Sequence, residues 1–107
     1  MRAMVLMLAL AGMSAGQGVR TFTGVITDSE CSTADHARMR MGPTDAECVT
    51  ACISEHGAAY VLFDGKNTYA LSDQETPATF AARKVTITGT LDAKGKTIQL
   101  SAIRAAK

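Results

Sequence analysis

The sequence predicts a mainly β domain that carries one α-helix. Three observations predict it. Two segments near the C-terminus alternate apolar with polar residues, an Asp-Gly pair joins two short strand-forming runs, and one apolar stripe at helical spacing is bracketed by cap residues.

Thr21 to Thr27 (TFTGVIT) is rich in β-branched residues and reads as the first strand, with Phe22 and Ile26 on one face. Gly24 within it predicts a bend or a close backbone approach. From Asp28 to Pro43 the periodicity disappears, leaving a long connection of the length at which loops are functional or tied down. A helix follows. Thr44 and Glu47 form a Thr-x-x-Glu capping box, Asp45 and Glu47 place negative charge in the first turn, and Gly57 is the stop. Between them Cys48, Val49, Cys52 and Ile53 make one apolar stripe that faces or borders the core.

Tyr60 to Phe63 and Thr68 to Leu71 are two strands joined around Asp64-Gly65, a hairpin signal. Ser72 to Arg83 is a connection with a short helical turn after Pro77, anchored by Phe80. Val85, Ile87, Gly89 and Leu91 then alternate with threonines, the period-two pattern of a half-buried strand. Asp92 to Lys96 makes a turn in which Gly95 can take a positive φ. Ile98 and Leu100 continue the alternation in the last strand, and Ile103, out of phase with them, predicts a bulge near Ser101. Five short strands with one substantial helix predict a small five-stranded OB-like barrel, the helix lying between the first and second strands. The usual OB order places the helix between the third and fourth strands, and a small open sheet packed by one helix is the alternative.

The first sixteen residues read as a signal peptide rather than structure. Arg2 supplies positive charge, Ala3 to Gly12 is uncharged and apolar, and small residues follow at Ser14, Ala15 and Gly16. About ten apolar residues are half of what a membrane-spanning helix requires. The expectation is cleavage after Ala15 or Gly16 and a single domain over 17–107, secreted or periplasmic. Without Arg2, ten basic residues face ten acidic ones. That balance excludes nucleic acid as a partner, which draws on clustered Lys and Arg, and excludes electrostatic docking on an anionic membrane after cleavage. A monomer is expected. A chain of this size buries only about 60–65% of its extended surface, so a disulfide or a metal would matter to it.

One constellation carries chemical potential: Cys31, His36, Cys48 and Cys52. Cys48 and Cys52 are four apart on the helix, with Cβ atoms about 5–6 Å apart, a spacing that suits two thiolates on one metal. A direct disulfide between them is disfavoured, because disulfide Cβ atoms lie about 3.5–4.5 Å apart. Cys31 and His36, from the preceding loop, would complete a Cys₃His set for Zn, and the nearby sulfurs of Met39 and Met41 would favour Cu(I). In an oxidising compartment Cys31 pairs more simply with Cys48 or Cys52. Closing that loop of about 17–21 residues stabilises by roughly 3 kcal/mol in the chain-entropy account. Each residue also has a plainer role. A loop histidine such as His36 is usually solvated, His56 suits the last helical turn, Asp28 and Asp35 form turns, and Tyr60 and Tyr69 pack.

Enzyme signatures are missing. There is no Gly-x-Ser-x-Gly elbow, no Gly-rich phosphate loop and no His-Glu-x-x-His, and five aromatics without Trp offer little stacking surface. Three segments carry a resemblance. They are Gly24-Val-Ile-Thr-Asp-Ser-Glu-Cys31, then Glu47-Cys-Val-Thr-Ala-Cys52 leading into Tyr60-Val-Leu62, and finally Lys84-Val-Thr-Ile-Thr-Gly-Thr-Leu-Asp92. They resemble an uncharacterised family of small secreted bacterial proteins with an OB-like domain. The resemblance covers nearly the whole mature chain and implies fold and export, but no established activity. Phe80-Ala-Ala-Arg-Lys84 departs from the Phe-x-Gly expected before that strand.

The sequence therefore points first to a secreted, non-enzymatic binding or structural module stapled by a disulfide from Cys31 to the helix. A metal-binding protein (Zn or Cu) using Cys31, His36, Cys48 and Cys52 is the alternative, and a thiol redox protein is the third reading.

Overall fold

Period-two alternation and β-branched residues put most of the described chain into strands. The computed structural model describes residues 18–37 and 40–106. The signal-peptide boundary and Met39 lie outside them. Strand β1 is Arg20–Asp28, β2 Tyr60–Phe63, β3 Thr68–Leu71, β4 Lys84–Leu91 and β5 Thr97–Ala105. The helix, α1, is Asp45–His56 and lies between β1 and β2. Short 3₁₀ turns occupy Ser29–Cys31 and Thr76–Phe80.

Neighbouring strands run in the order β1-β2-β3-β5-β4, and β4 pairs back onto β1, so the sheet closes into a barrel. All pairings are antiparallel except the short β3–β5 contact, Ala70 with Thr97 and Leu71 with Ile98. Inward positions are filled by Ile26, Leu62, Val85, Ile87 and Ile98, all fully buried, and by Phe22 and Leu71. Val49 of α1 is buried in the same core, and Ile53 packs against it. The cap residues act as their sequence suggests: Thr44 Oγ1 accepts from the Glu47 N–H at 3.1 Å, and Gly57 closes the helix with φ 67°.

Two backbone features explain residue choices. A Cβ placed on Gly24 would stand 2.3 Å from the Phe63 carbonyl oxygen, so β1 and β2 approach as they do only because that side chain is absent. In the β4–β5 ladder Thr88 faces Ala102 while Gly89 faces Leu100, which leaves Ser101 as the extra residue. The Ser101 hydroxyl donates to the Thr88 carbonyl at 3.0 Å and holds the bulge. The 3₁₀ turn between β3 and β4 begins at Thr76, with buried Pro77 inside it rather than before it. Immediately after it Ala82 takes φ 63°, a left-handed conformation, in the place where Phe-x-Gly would put glycine.

Candidate metal centre

The connection from β1 to α1 lacks periodicity because side chains, not a ladder or a helix, determine its path. Asp28 ends β1 and turns the chain: its Oδ1 accepts from the Glu30 N–H at 2.9 Å and the Cys31 N–H at 3.0 Å, capping the first 3₁₀ turn. Thr27 Oγ1 donates to the Cys31 carbonyl at 2.8 Å. The turn is tied to the residue just before β2 by Ser29 N–H to the Ala59 carbonyl, 2.9 Å, and by Ala59 N–H to Ser29 Oγ, 3.0 Å. Thr68 Oγ1 on β3 donates to the Ser32 carbonyl at 2.9 Å. Ala34, with φ 61°, then reverses the chain so that His36 re-enters the protein.

The outcome is a buried group of three ligand-type side chains. One carboxylate oxygen of Asp28, the Cys31 sulfur and one ring nitrogen of His36 all lie within 4.8 Å of one another. Asp28 is 0% exposed, His36 4% and Cys31 6%. Two of their atoms lack ordinary partners. Among the described residues no hydrogen-bond partner of ordinary geometry reaches Asp28 Oδ2 or His36 Nδ1, and both atoms are shut off from solvent. A buried polar atom left in this way costs about 1–3 kcal/mol, so such atoms are rare without a reason. The ion pair found among the described residues, Arg40 with Asp45, is exposed and does not involve Asp28.

The helix cysteines flank this group. Cys48 and Cys52 are fully buried on the inner side of α1, outside the 4.8 Å set. Cys48 Sγ accepts from the Met41 N–H at 3.4 Å, which draws the end of the loop onto the helix. Burial pushes the Cys52 thiol up to about 12, helped by the charges of Asp28, Cys48 and Cys31 and by a hydrogen bond with the Asp28 carboxyl. The Cys31 thiol is also pushed up, first by burial and then by Asp28 and Cys48. No disulfide joins the three.

Of the residues picked from sequence, the structure brings Cys31 and His36 together and adds Asp28, while Cys48 and Cys52 are buried on α1 outside that set. His36 is not the solvated loop residue its position suggests, because the reversal at Ala34 carries it inward. Asp28 does form the expected turn, but with one oxygen only. The available signal was its place three residues before Cys31, which lets a single carboxylate cap the turn and face the same interior. Asp35 forms its turn through Ala37 N–H, 3.1 Å, and His56 ends the helix exposed. Tyr60 and Tyr69 pack, the latter edge-on to Phe22 at 5.5 Å. Met41 is half-buried.

Comparison with protein-family models, with curated proteins and with solved structures found no match. The chemistry of the site must be argued from its own side chains. Nitrogen, oxygen and sulfur donors converge there, a mixed set of borderline softness. No helix among the described residues is long and apolar enough to cross a membrane.

Proposed function

We propose that this chain is a non-enzymatic metal-binding protein that takes one metal ion, Zn²⁺ ahead of Cu(I), between its first 3₁₀ turn and α1. Two observations carry this reading: the ligand atoms of buried Asp28, Cys31 and His36 lie within 4.8 Å of one another, and Asp28 Oδ2 and His36 Nδ1 are buried without ordinary hydrogen-bond partners among the described residues. A cation satisfies both at once and neutralises the buried carboxylate; an apolar neighbour or a disulfide does neither. In this reading Asp28, Cys31 and His36 are three ligands, and Cys52, already against the Asp28 carboxyl, is the fourth. The imidazole and carboxylate favour Zn²⁺, since Cu(I) prefers sulfur alone.

The staple from Cys31 to Cys48 or Cys52 is the second reading, supported by the burial of all three cysteines. The thiol redox reading is weaker, because a reactive cysteine needs a lowered pKa and these thiols are pushed up. We further read the domain as exported, monomeric and OB-like. In support of the last, a 3₁₀ turn at Thr76–Phe80 stands where the OB order has its helix.

Equilibrium dialysis of the reduced protein against Zn²⁺ tests the proposal. One ion per chain is expected. Asp28→Asn keeps the capping oxygen but removes the charge, and is expected to lower affinity about 100-fold while the circular dichroism spectrum stays unchanged. Undiminished binding by this variant, or no binding by the parent, refutes the assignment.

A further inference from the structure

We infer that the cleft between the β2–β3 and β4–β5 turns binds a small planar organic anion of the aromatic carboxylate class, Lys96 meeting its charge and Tyr69 its ring. The inference is independent of the metal-binding reading, since none of Asp28, Cys31 and His36 lines this cleft.

The cleft follows from the parallel pairing in the barrel. β3 and β5 start side by side, Ala70 opposite Thr97, with the Ala70 N–H donating to the Lys96 carbonyl at 2.8 Å. The turns that feed these two strands therefore stand at the same end of the barrel. Asn67, Thr68, Tyr69, Gly95 and Lys96 line the space between them, about 440 Å³. Small-molecule sites occupy roughly 300–1,000 Å³. Both rims are already fixed. Asp64 accepts from the N–H groups of Lys66 and Asn67 at 2.8 and 2.6 Å, and Asp92 from those of Lys96 and Thr97 at 2.9 and 3.2 Å. A ligand entering such a cleft need not order the loops that hold it.

The lining selects the chemical class. Lys96 is exposed and is the sole ionised side chain of the lining, and the ion pair found among the described residues does not involve it. The rim acids, Asp64 and Asp92, are outside the lining and bonded to their own turns. Tyr69 presents a ring braced edge-on by Phe22 at 5.5 Å, a fixed surface for a planar apolar body. The neutral polar groups are already engaged: the Asn67 side chain bonds Asp64, and the Thr68 hydroxyl donates to the Ser32 carbonyl at 2.9 Å. A neutral polyol thus finds few free partners, whereas an aromatic anion uses the ammonium and the ring together.

Titration of the ¹⁵N-labelled protein with benzoate, followed by NMR, tests the inference. Saturable shifts centred on the amides of Asn67, Tyr69, Gly95 and Lys96 are expected. Acetate, which has the charge without the ring, and benzyl alcohol, which has the ring without the charge, should each bind at least about tenfold more weakly. Lys96→Gln should weaken benzoate about tenfold, and Lys94→Gln, on the same turn but outside the lining, less than about twofold. Shifts that do not saturate or scatter over the surface, a control that matches benzoate, or equal losses in the two lysine variants would each overturn the inference and leave the metal reading standing.

Discussion

Asp28 is the residue on which the site turns, because its two oxygens do different things. Oδ1 is committed to the backbone of the 3₁₀ turn, and Oδ2 is buried without a partner of ordinary geometry among the described residues. A group needed only for the turn could be Asn or Ser at less cost, since neither brings a buried charge. A second residue tests how backbone strain is carried. Ala82 is left-handed at φ 63°, which costs a non-glycine residue about 1–2 kcal/mol, while glycine adds back part of that as unfolded-state entropy. Ala82→Gly is therefore expected to stabilise the protein by about 0.5–1 kcal/mol and raise Tm by a few degrees. A lower Tm would show that the Ala82 methyl, half-buried against the core, contributes more than the strain removes.

The turns show how acid should act on the elements. Asp64, Asp73 and Asp92 each accept backbone N–H bonds at a strand connection, from Lys66 and Asn67, from Glu75 and Thr76, and from Lys96 and Thr97. For Asp64 and Asp92 those backbone bonds, and for Asp73 the Thr76 hydroxyl first, hold the carboxyl below the ordinary carboxylate value. A folded pKa below the unfolded one gives stability that is present above the unfolded value and lost as pH falls. Urea unfolding should thus show a loss of stability beginning below about pH 4, and the triple Asp→Asn variant should flatten that limb. An unchanged acid limb would contradict the assignment.

These same elements were largely legible in the sequence. The Asp64-Gly65 hairpin, the Thr44 and Gly57 caps and the Ser101 bulge each rest on contacts a few residues long or on a period. The loop from Ser29 to Thr44 was not legible. Its path depends on Ser29 meeting Ala59 and on Thr68 meeting Ser32, thirty and thirty-six residues away, and no local pattern announces such bonds. The inward position of His36 and the second role of Asp28 follow from that path.

At the scale of the whole molecule, a small barrel and a single helix leave a modest stability margin, and the polar, sulfur-rich seam between β1 and α1 is where the fold is least self-sufficient. Ten core residues are apolar and contiguous; the seam instead buries a carboxylate, an imidazole and three sulfurs. In the proposed reading a cation completes that seam. X-ray absorption at the zinc edge of the reduced, loaded protein tests it most directly. The expected result is a mixed first shell, with sulfur at about 2.3 Å and nitrogen and oxygen at about 2.0–2.2 Å, and loss of the oxygen component in Asp28→Asn. A shell made only of sulfur, or only of water and exposed carboxylates, would contradict it.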